Sequence, residues 1–318
     1  MRIRRVLLVS RSRGVAQAEN FAIEETELSP LAEGQIRVRN AFLSVEPAMR
    51  GWIADTGNYS APVEIGSVMR SLAVGEVVQS NAADFCVGET VMGWFGWQDY
   101  ADVAPAAVVR RVREADLPAS LALGVLGING VTALIGLEAI GDPKPGETVL
   151  VSTAAGAVGS AVGQIAKILG CRTVGVAGGA DKTALCRELF GYDATIDYRA
   201  PGLREAIDSA CPDGVHVYFD NTSGAISDAV WPRLAVRGRV VICGTASISA
   251  LIDSFVMRSP IGAAFSMSSA SARPAPRSFS TGTISLTRPM RRARSALTKR
   301  PDSRNSEALE TPTSRGNR

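Results

Sequence analysis

Residues Ala154-Ala155-Gly156-Ala157-Val158-Gly159 follow the apolar run ETVLVST and open the amphipathic stretch GAVGSAVGQIAKILG. This A-x-G-x-x-G arrangement suits a turn from strand to helix that cradles a pyrophosphate. Gly156 lets the backbone approach the phosphates without a Cβ, and Gly159 lets the helix pack on the strand. Free N–H groups and a partial positive charge at the helix start favour an anion there. Small residues also serve tight packing in this kind of turn, so the flanking strand, helix and second strand carry the reading. The candidate set here is Ala154, Gly156, Ala157, Val158 and Gly159.

The end of the next strand selects the nucleotide. A site for NAD places an acid about 20 residues beyond the glycines, on the ribose 2′-hydroxyl. Here VGVA runs into Gly178-Gly179-Ala180-Asp181-Lys182. No acid stands at the strand tip, Gly178 leaves room for a 2′-phosphate, and Lys182 can neutralise it, so NADP (NADPH) is the expected cofactor. The alternative is that Asp181 and Lys182 are solvated residues of a helical first turn. Tyr198 and Asn221 fall at the ends of further strands, ATIDYR and VYFDNTS, where parallel sheets bind ligands or simply turn. Cys243, Gly244 and Ser247 lie in the small-residue segment after the last strand, suited to a flat ring.

Other chemistries lack the residues. The single histidine, His216, sits inside VHVYF and reads as a strand residue, which leaves no Cys/His zinc set and no Ser-His-Asp triad. We expect no metal. Cys86, Cys171, Cys186, Cys211 and Cys243 form no close pair and read as free thiols in a reducing, cytoplasmic setting. The N-terminal apolar run Val6 to Val9 is too short for a signal sequence, and no apolar stretch is long enough to span a membrane. Reactivity must then come from the cofactor, with the chain orienting it.

These residues need a scaffold, and the sequence supplies two textures. Up to about residue 115, QIRVRNAFLSV, GSVMRSLAVGEVVQS, ETVMGWFGWQDYADV and AAVVRRV read as strands between turn residues, an antiparallel and partly barrel-like domain. Residues 120–140 have helical apolar spacing and read as bridging helices. From 145 to 246, five apolar strands alternate with helix-length segments, the pattern of a doubly wound parallel sheet.

The chain has 318 residues, ample for two domains, and a formal charge of +3. That average conceals an asymmetry. Residues 255–318 carry 11 Arg and 1 Lys against 3 acids, so residues 1–254 bear a net charge of −6. The same segment holds 12 Ser and no Trp or Tyr, without an apolar period, and reads as a disordered or weakly helical tail. Its loosely spaced basic residues make a poor nucleic-acid surface.

The stretches VEPAMRGWI (45–53), VEIGSVMRSLAVGEVV (63–78), VGETVMGWFGWQDYA (87–101), GINGVTALIGL (127–137), the run from Pro145 to Lys182, VYFDNTSG and RVVICGTAS together resemble the medium-chain dehydrogenase/reductase superfamily. Within it they resemble the zinc-free leukotriene/prostaglandin reductase-like branch of NADP-dependent alkenal and enone reductases. The resemblance implies an α/β chain, with a GroES-like, mainly β domain over 1–118, a Rossmann domain with bridging helices over 119–250, and an aberrant tail over 251–318. It implies hydride transfer from NADPH to the β-carbon of an α,β-unsaturated ketone or aldehyde, and a homodimer where the fold is complete. Nucleic acid and membrane are not expected as partners.

Three departures from the family pattern bear on catalysis. Ala48 stands where relatives carry a tyrosine in P-Y-M-R-G, and Ser249 where they carry one in C-G-A-I-S-x-Y-N. Tyr59 is left as the candidate carbonyl donor, although GNYSAP is also an ordinary loop sequence. Beyond residue 250 the family's G-x-N-x-G-K ending is missing. Quinone reduction within the same superfamily, or a degenerate nucleotide-binding protein without activity, are the competing readings. The abrupt change near residue 250 has the character of a shifted reading frame or of a divergent terminus. If the frame is shifted, one of the other two frames of the coding DNA beyond codon 250 encodes a G-x-N-x-G-K segment; its absence from both would leave a divergent terminus.

Overall fold

The computed structural model describes residues 1–12, 14–54 and 60–244. In the first part, β1 (Arg2–Leu8) pairs antiparallel with β2 (Phe21–Glu27). There follow β3 (Ile36–Leu43), the single turn α1 (Met49–Trp52), β4 (Leu72–Ser80), β5 (Thr90–Trp94), β6 (Tyr100–Val103) and β7 (Val108–Arg111). Strands β3 to β7 form an antiparallel sheet in the order β6-β3-β4-β5-β7. Ile36, Val38, Ala73, Val77, Val91, Phe95 and Ala101 fill its core. The stretch read as one strand, ETVMGWFGWQDYADV, is two, because Gly96 takes a positive φ of 70° and reverses the chain between β5 and β6.

The expected bridging helices are present as a 3-10 turn (Ala119–Leu123), α2 (Ile128–Ile135) and a wider π-type turn (Gly136–Gly141). Ala122 packs with Leu72, Val74 and Met92 of the antiparallel sheet, so this segment joins the two halves.

The second half alternates β8 (Thr148–Ser152), α3 (Ala157–Ile168), β9 (Arg172–Ala177), α4 (Ala180–Glu188), β10 (Ala194–Asp197), α5 (Leu203–Ala210), β11 (Val215–Asp220), α6 (Ala225–Val230) and β12 (Leu234–Ile242). All five strands are parallel, in the order β10-β9-β8-β11-β12. Every residue of β8 is buried, as a central parallel strand covered on both faces must be. One face packs Val149, Val151 and Phe219 under Ala161, Val162 and Ala166 of α3; the other packs Leu150, Val174 and Tyr218 under Ile207 and Val230 of α5 and α6. The helix expected over ISDAVWPRLA stops earlier, because Pro232 interrupts it and Leu234 already belongs to β12. Strand order reverses between β8 and β11, which opens a crevice at their C-terminal ends.

His216 is a strand residue as expected, and its Nδ1 accepts the Thr148 N–H at 3.2 Å. All five cysteines are free. Among the described residues no helix is long and apolar enough to cross a membrane.

At the opposite end of the sheet, Arg239 of β12 donates from Nη1 to Glu147 Oε1 at 2.9 Å and from Nε to the Gly141 carbonyl at 2.8 Å. Its Nη2 also bonds Glu147 Oε2, and the Lys144 N–H donates to the same carboxylate at 2.8 Å. The Arg239 guanidinium holds the Glu147 carboxyl down at about 2. A depressed carboxylate stabilises the fold above its ordinary pKa and ceases to do so as pH falls through the depressed one. Glu147→Gln is therefore expected to lose about 2–3 kcal/mol near pH 7 in urea titrations. That gap should narrow steadily below pH 4.5 toward 2; a gap independent of pH would show that the pair does not buttress β12.

Candidate functional site: a nucleotide cleft at the strand reversal

At the crevice, Thr153, Ala155, Gly156, Ala177, Gly178, Lys182, Tyr198, Thr222, Gly224, Ala225 and Ile226 line a cleft of about 420 Å³. Its first wall is the turn after β8. The Thr153 carbonyl accepts the Gly156 N–H at 2.8 Å, and Gly156 caps α3. Gly159 has no room for a side chain, since a Cβ there would stand 2.2 Å from the Thr153 carbonyl oxygen. Its smallness therefore serves helix-on-strand packing, while Gly156 faces the cleft. Ala157 is exposed at the start of α3, and Val158 packs against the core.

Ala154 is not a wall of the cleft. Its side chain is fully buried in the core cluster and its N–H is spent on the Val176 carbonyl at 3.0 Å, so the neighbouring Ala155 takes the lining position. The reason is the turn that follows β8, entered at Thr153 with a positive φ of 52°, which keeps Ala154 against the core and brings Ala155 to the cleft.

The second wall joins the ends of β9 and β10. Asp197 Oδ1 accepts the Gly179 N–H at 2.8 Å and the Arg199 N–H at 3.0 Å. Those amides, that of Gly179 foremost, hold the Asp197 carboxyl below the usual carboxylate range. Gly178 lies so close to the Tyr198 ring and the Arg199 guanidinium that a Cβ there would approach them to 2.8 and 2.9 Å. Asp181 and Lys182 do fall in the first turn of α4, and Lys182 also lines the cleft. Sequence reasoning passed over Arg199; its signal was a second cation two residues after Asp197.

The third wall is a network around Asp220, at the end of β11. This buried carboxylate accepts Ser152 Oγ at 3.1 Å, the Thr222 and Ser223 N–H groups at 2.9 and 2.8 Å, and Ser227 Oγ at 2.7 Å. Tyr218 bonds Ser227 in turn at 3.0 Å, and burial pushes its phenol up. Asn221 donates its N–H to Ser152 Oγ at 2.8 Å and its side-chain amide to the Ser152 carbonyl at 2.7 Å. The backbone of Cys243 and Gly244 lies on the same point, both amides donating to the Asp220 carbonyl, at 2.8 and 3.1 Å. Burial pushes the Cys243 thiol up. Ser247 and Tyr59 lie outside the described residues. Thr153 and Ser223 adopt left-handed backbone angles, φ 52° and 59°, on opposite sides of the cleft.

The residues fit a dinucleotide: a helix start with a glycine cap, a glycine pair at the neighbouring strand end, and two cations beside it. Comparison with known proteins agrees. A family model described as N-terminal domain of oxidoreductase matches residues 4–112, and one described as zinc-binding dehydrogenase matches residues 157–281. The NADPH-dependent curcumin reductase of Escherichia coli (strain K12) is 44% identical over 246 residues, 77% of this chain and 71% of that protein. The chain belongs to the zinc-free, NADP-dependent double-bond reductase branch of the medium-chain dehydrogenase/reductase superfamily. The 2-alkenal reductase (NADP(+)-dependent) of Nicotiana tabacum is 37% identical, over 69% of this chain and 64% of that one. The solved structure of CurA in complex with NADPH from Vibrio vulnificus superposes with a TM-score of 0.72 at 37% identity, covering 80% of this chain and 79% of its own. Among the described residues of this reductase-family chain, no group of three or more His, Cys, Asp or Glu side chains is placed to hold a metal ion.

Within this medium-chain reductase fold the Asp220 network is the part a single substitution can remove. Asp220→Ala leaves two hydroxyls and two amides without an acceptor, and we expect a loss on the order of 3 kcal/mol. Asp220→Asn keeps Oδ1 and can donate to Ser227, so it should lose much less. Chemical denaturation and amide exchange at Thr222 and Ser223 measure both, and equal stability of parent and alanine variant would refute the assignment.

Proposed function

We propose that the chain is an NADPH-dependent reductase of the carbon-carbon double bond in α,β-unsaturated ketones or aldehydes. The observation that carries this is the cleft at the strand reversal, with Lys182 and Arg199 beside a Gly-Gly turn that lacks the acid of an NAD site. The names of the relatives, a curcumin reductase and a 2-alkenal reductase, supply the substrate class.

NADPH, when bound, supplies the hydride. The chain's own tasks are to hold and to polarise. The amides that follow Gly156 at the start of α3 receive the pyrophosphate, and Gly156 lets the backbone approach it. Lys182 and Tyr198 hold the 2′-phosphate end. Asn221, fixed to Ser152, and the segment from Cys243 through Gly244 to Ser247 border the nicotinamide side. We assign the carbonyl donor to Tyr59, whose hydroxyl would stabilise the enolate oxygen as charge develops there. Protonation at the α-carbon completes the reduction. With Ala48 and Ser249 in place of two family tyrosines, that donor stands with less support than in relatives.

A cytoplasmic setting suits five free cysteines, and a second copy of this chain suits β12, the outermost strand of the parallel sheet among the described residues, with Val236 and Ile242 exposed. The proposal includes no nucleic-acid or membrane partner.

NADPH fluorescence on titration with the full chain, followed by NADPH oxidation with an alkenal, an enone and a quinone, tests the reading. We expect NADPH binding, slow reduction of the alkenal or enone, and a Tyr59→Phe variant that lowers kcat by about tenfold or more with KM little changed. Absence of NADPH binding would contradict the reading, and a preference for quinones would replace its substrate class.

A further inference from the structure

Two cations stand at the rim of the cleft, and the sequence pointed to one. Lys182 has no hydrogen bond or ion pair to a protein group among the described residues, and neither has the Arg199 guanidinium. The Arg199 side chain lies along the Gly178-Gly179 turn: a Cβ at Gly178 would come within 2.9 Å of Arg199 Nε, and one at Gly179 within 3.8 Å of Arg199 Nη1. Tyr198 shares this wall, with the Arg199 guanidinium carbon 5.9 Å from its ring centre. Arginines elsewhere on this surface have found carboxylates, as Arg4 has Asp99 and Arg39 has Glu76. Arg199 has an acid two residues away and does not bond it through its side chain.

The backbone explains why. Asp197 Oδ1 already accepts the amides of Gly179 and Arg199, so the acid works as a clasp between the two strand ends. The clasp fixes the Arg199 backbone beside the glycine turn, where its side chain lies along Gly178 and Gly179.

We propose that Arg199 is a specificity-determining residue, a second cation that with Lys182 grips the 2′-phosphate and sets the preference for NADPH over NADH. Asp197 is its positioning residue. The inference rests on the NADPH-reductase reading and extends it to a residue outside the Lys182–Tyr198 pair. A planar guanidinium can offer two parallel N–H donors to phosphate oxygens, which a lysine cannot.

The test is equilibrium titration of the full chain, Arg199→Ala, Arg199→Lys and Lys182→Ala with NADPH and with NADH, using nucleotide fluorescence, with 2′-AMP as a competitor. Arg199→Ala should weaken NADPH and 2′-AMP by about tenfold or more while NADH changes by less than about twofold. Arg199→Lys should recover part of the loss, since it restores the charge without the fork. The dependence of NADPH affinity on salt should be shallower in Arg199→Ala than in the parent. Equal weakening of NADPH and NADH would reduce Arg199 to a support for Tyr198 and overturn the assignment, as would no change in either. A parent chain that binds neither nucleotide would overturn the reductase reading itself. A parent that binds NADPH and is matched by Arg199→Ala would overturn only the role of Arg199.

Discussion

A buried carboxylate at the strand reversal is the interaction on which the rest of this site depends. Asp220 sits where β8 and β11 run side by side and their following helices depart to opposite faces. Parallel strands end there with unpaired amides that neither neighbour can satisfy. Asp220 gathers the hydroxyl of Ser152 from β8, the amides of Thr222 and Ser223 from its own loop, and the hydroxyl of Ser227 from α6. One side chain thereby joins two strands, a loop and a helix. Without it, Ser223 has no evident reason to remain left-handed, and the wall formed by Thr222 and Gly224 would be free to move.

The same economy appears on the other side of the cleft. Asp197 is also an acid at the end of a parallel strand, and it too accepts backbone amides rather than facing a ligand. Both strand-end acids are thus bonded to the scaffold; Lys182 lines the cleft, and Arg199 lies along the Gly178-Gly179 turn beside it. Overall charge is a poor guide to the ligand here, because the Arg-rich segment beyond residue 255 dominates the total and lies outside the described residues.

The parallel sheet was legible in the sequence because each strand is a short apolar run bounded by glycine or polar turns, and because the turn at Gly156 admits few alternatives. The limits of legibility are equally physical. Asp220 and Ser152 are 68 residues apart, so their hydrogen bond depends on which strands become neighbours, and periodicity carries no information about that. Arg199 looked like any loop arginine until the pairing of β10 with β9 laid it along Gly178. Ala154 and Ala155 are chemically identical, and only the facing of the chain at the strand end separates a core residue from a cleft residue. In the antiparallel half, the order β6-β3-β4-β5-β7 could not be read from strands of similar texture, and a positive φ at Gly96 divided what looked like one strand.

The central claim is that this crevice holds NADPH with its 2′-phosphate at the β9–β10 wall and its pyrophosphate at the start of α3. A crystal structure of the full chain grown with NADPH tests it most directly. The account predicts the 2′-phosphate between Lys182 and Arg199 against Tyr198, the pyrophosphate on the amides that follow Gly156, and the nicotinamide toward Asn221 and Cys243. A nucleotide bound with its adenosine end at Asn221, or bound away from the strand reversal, would contradict it.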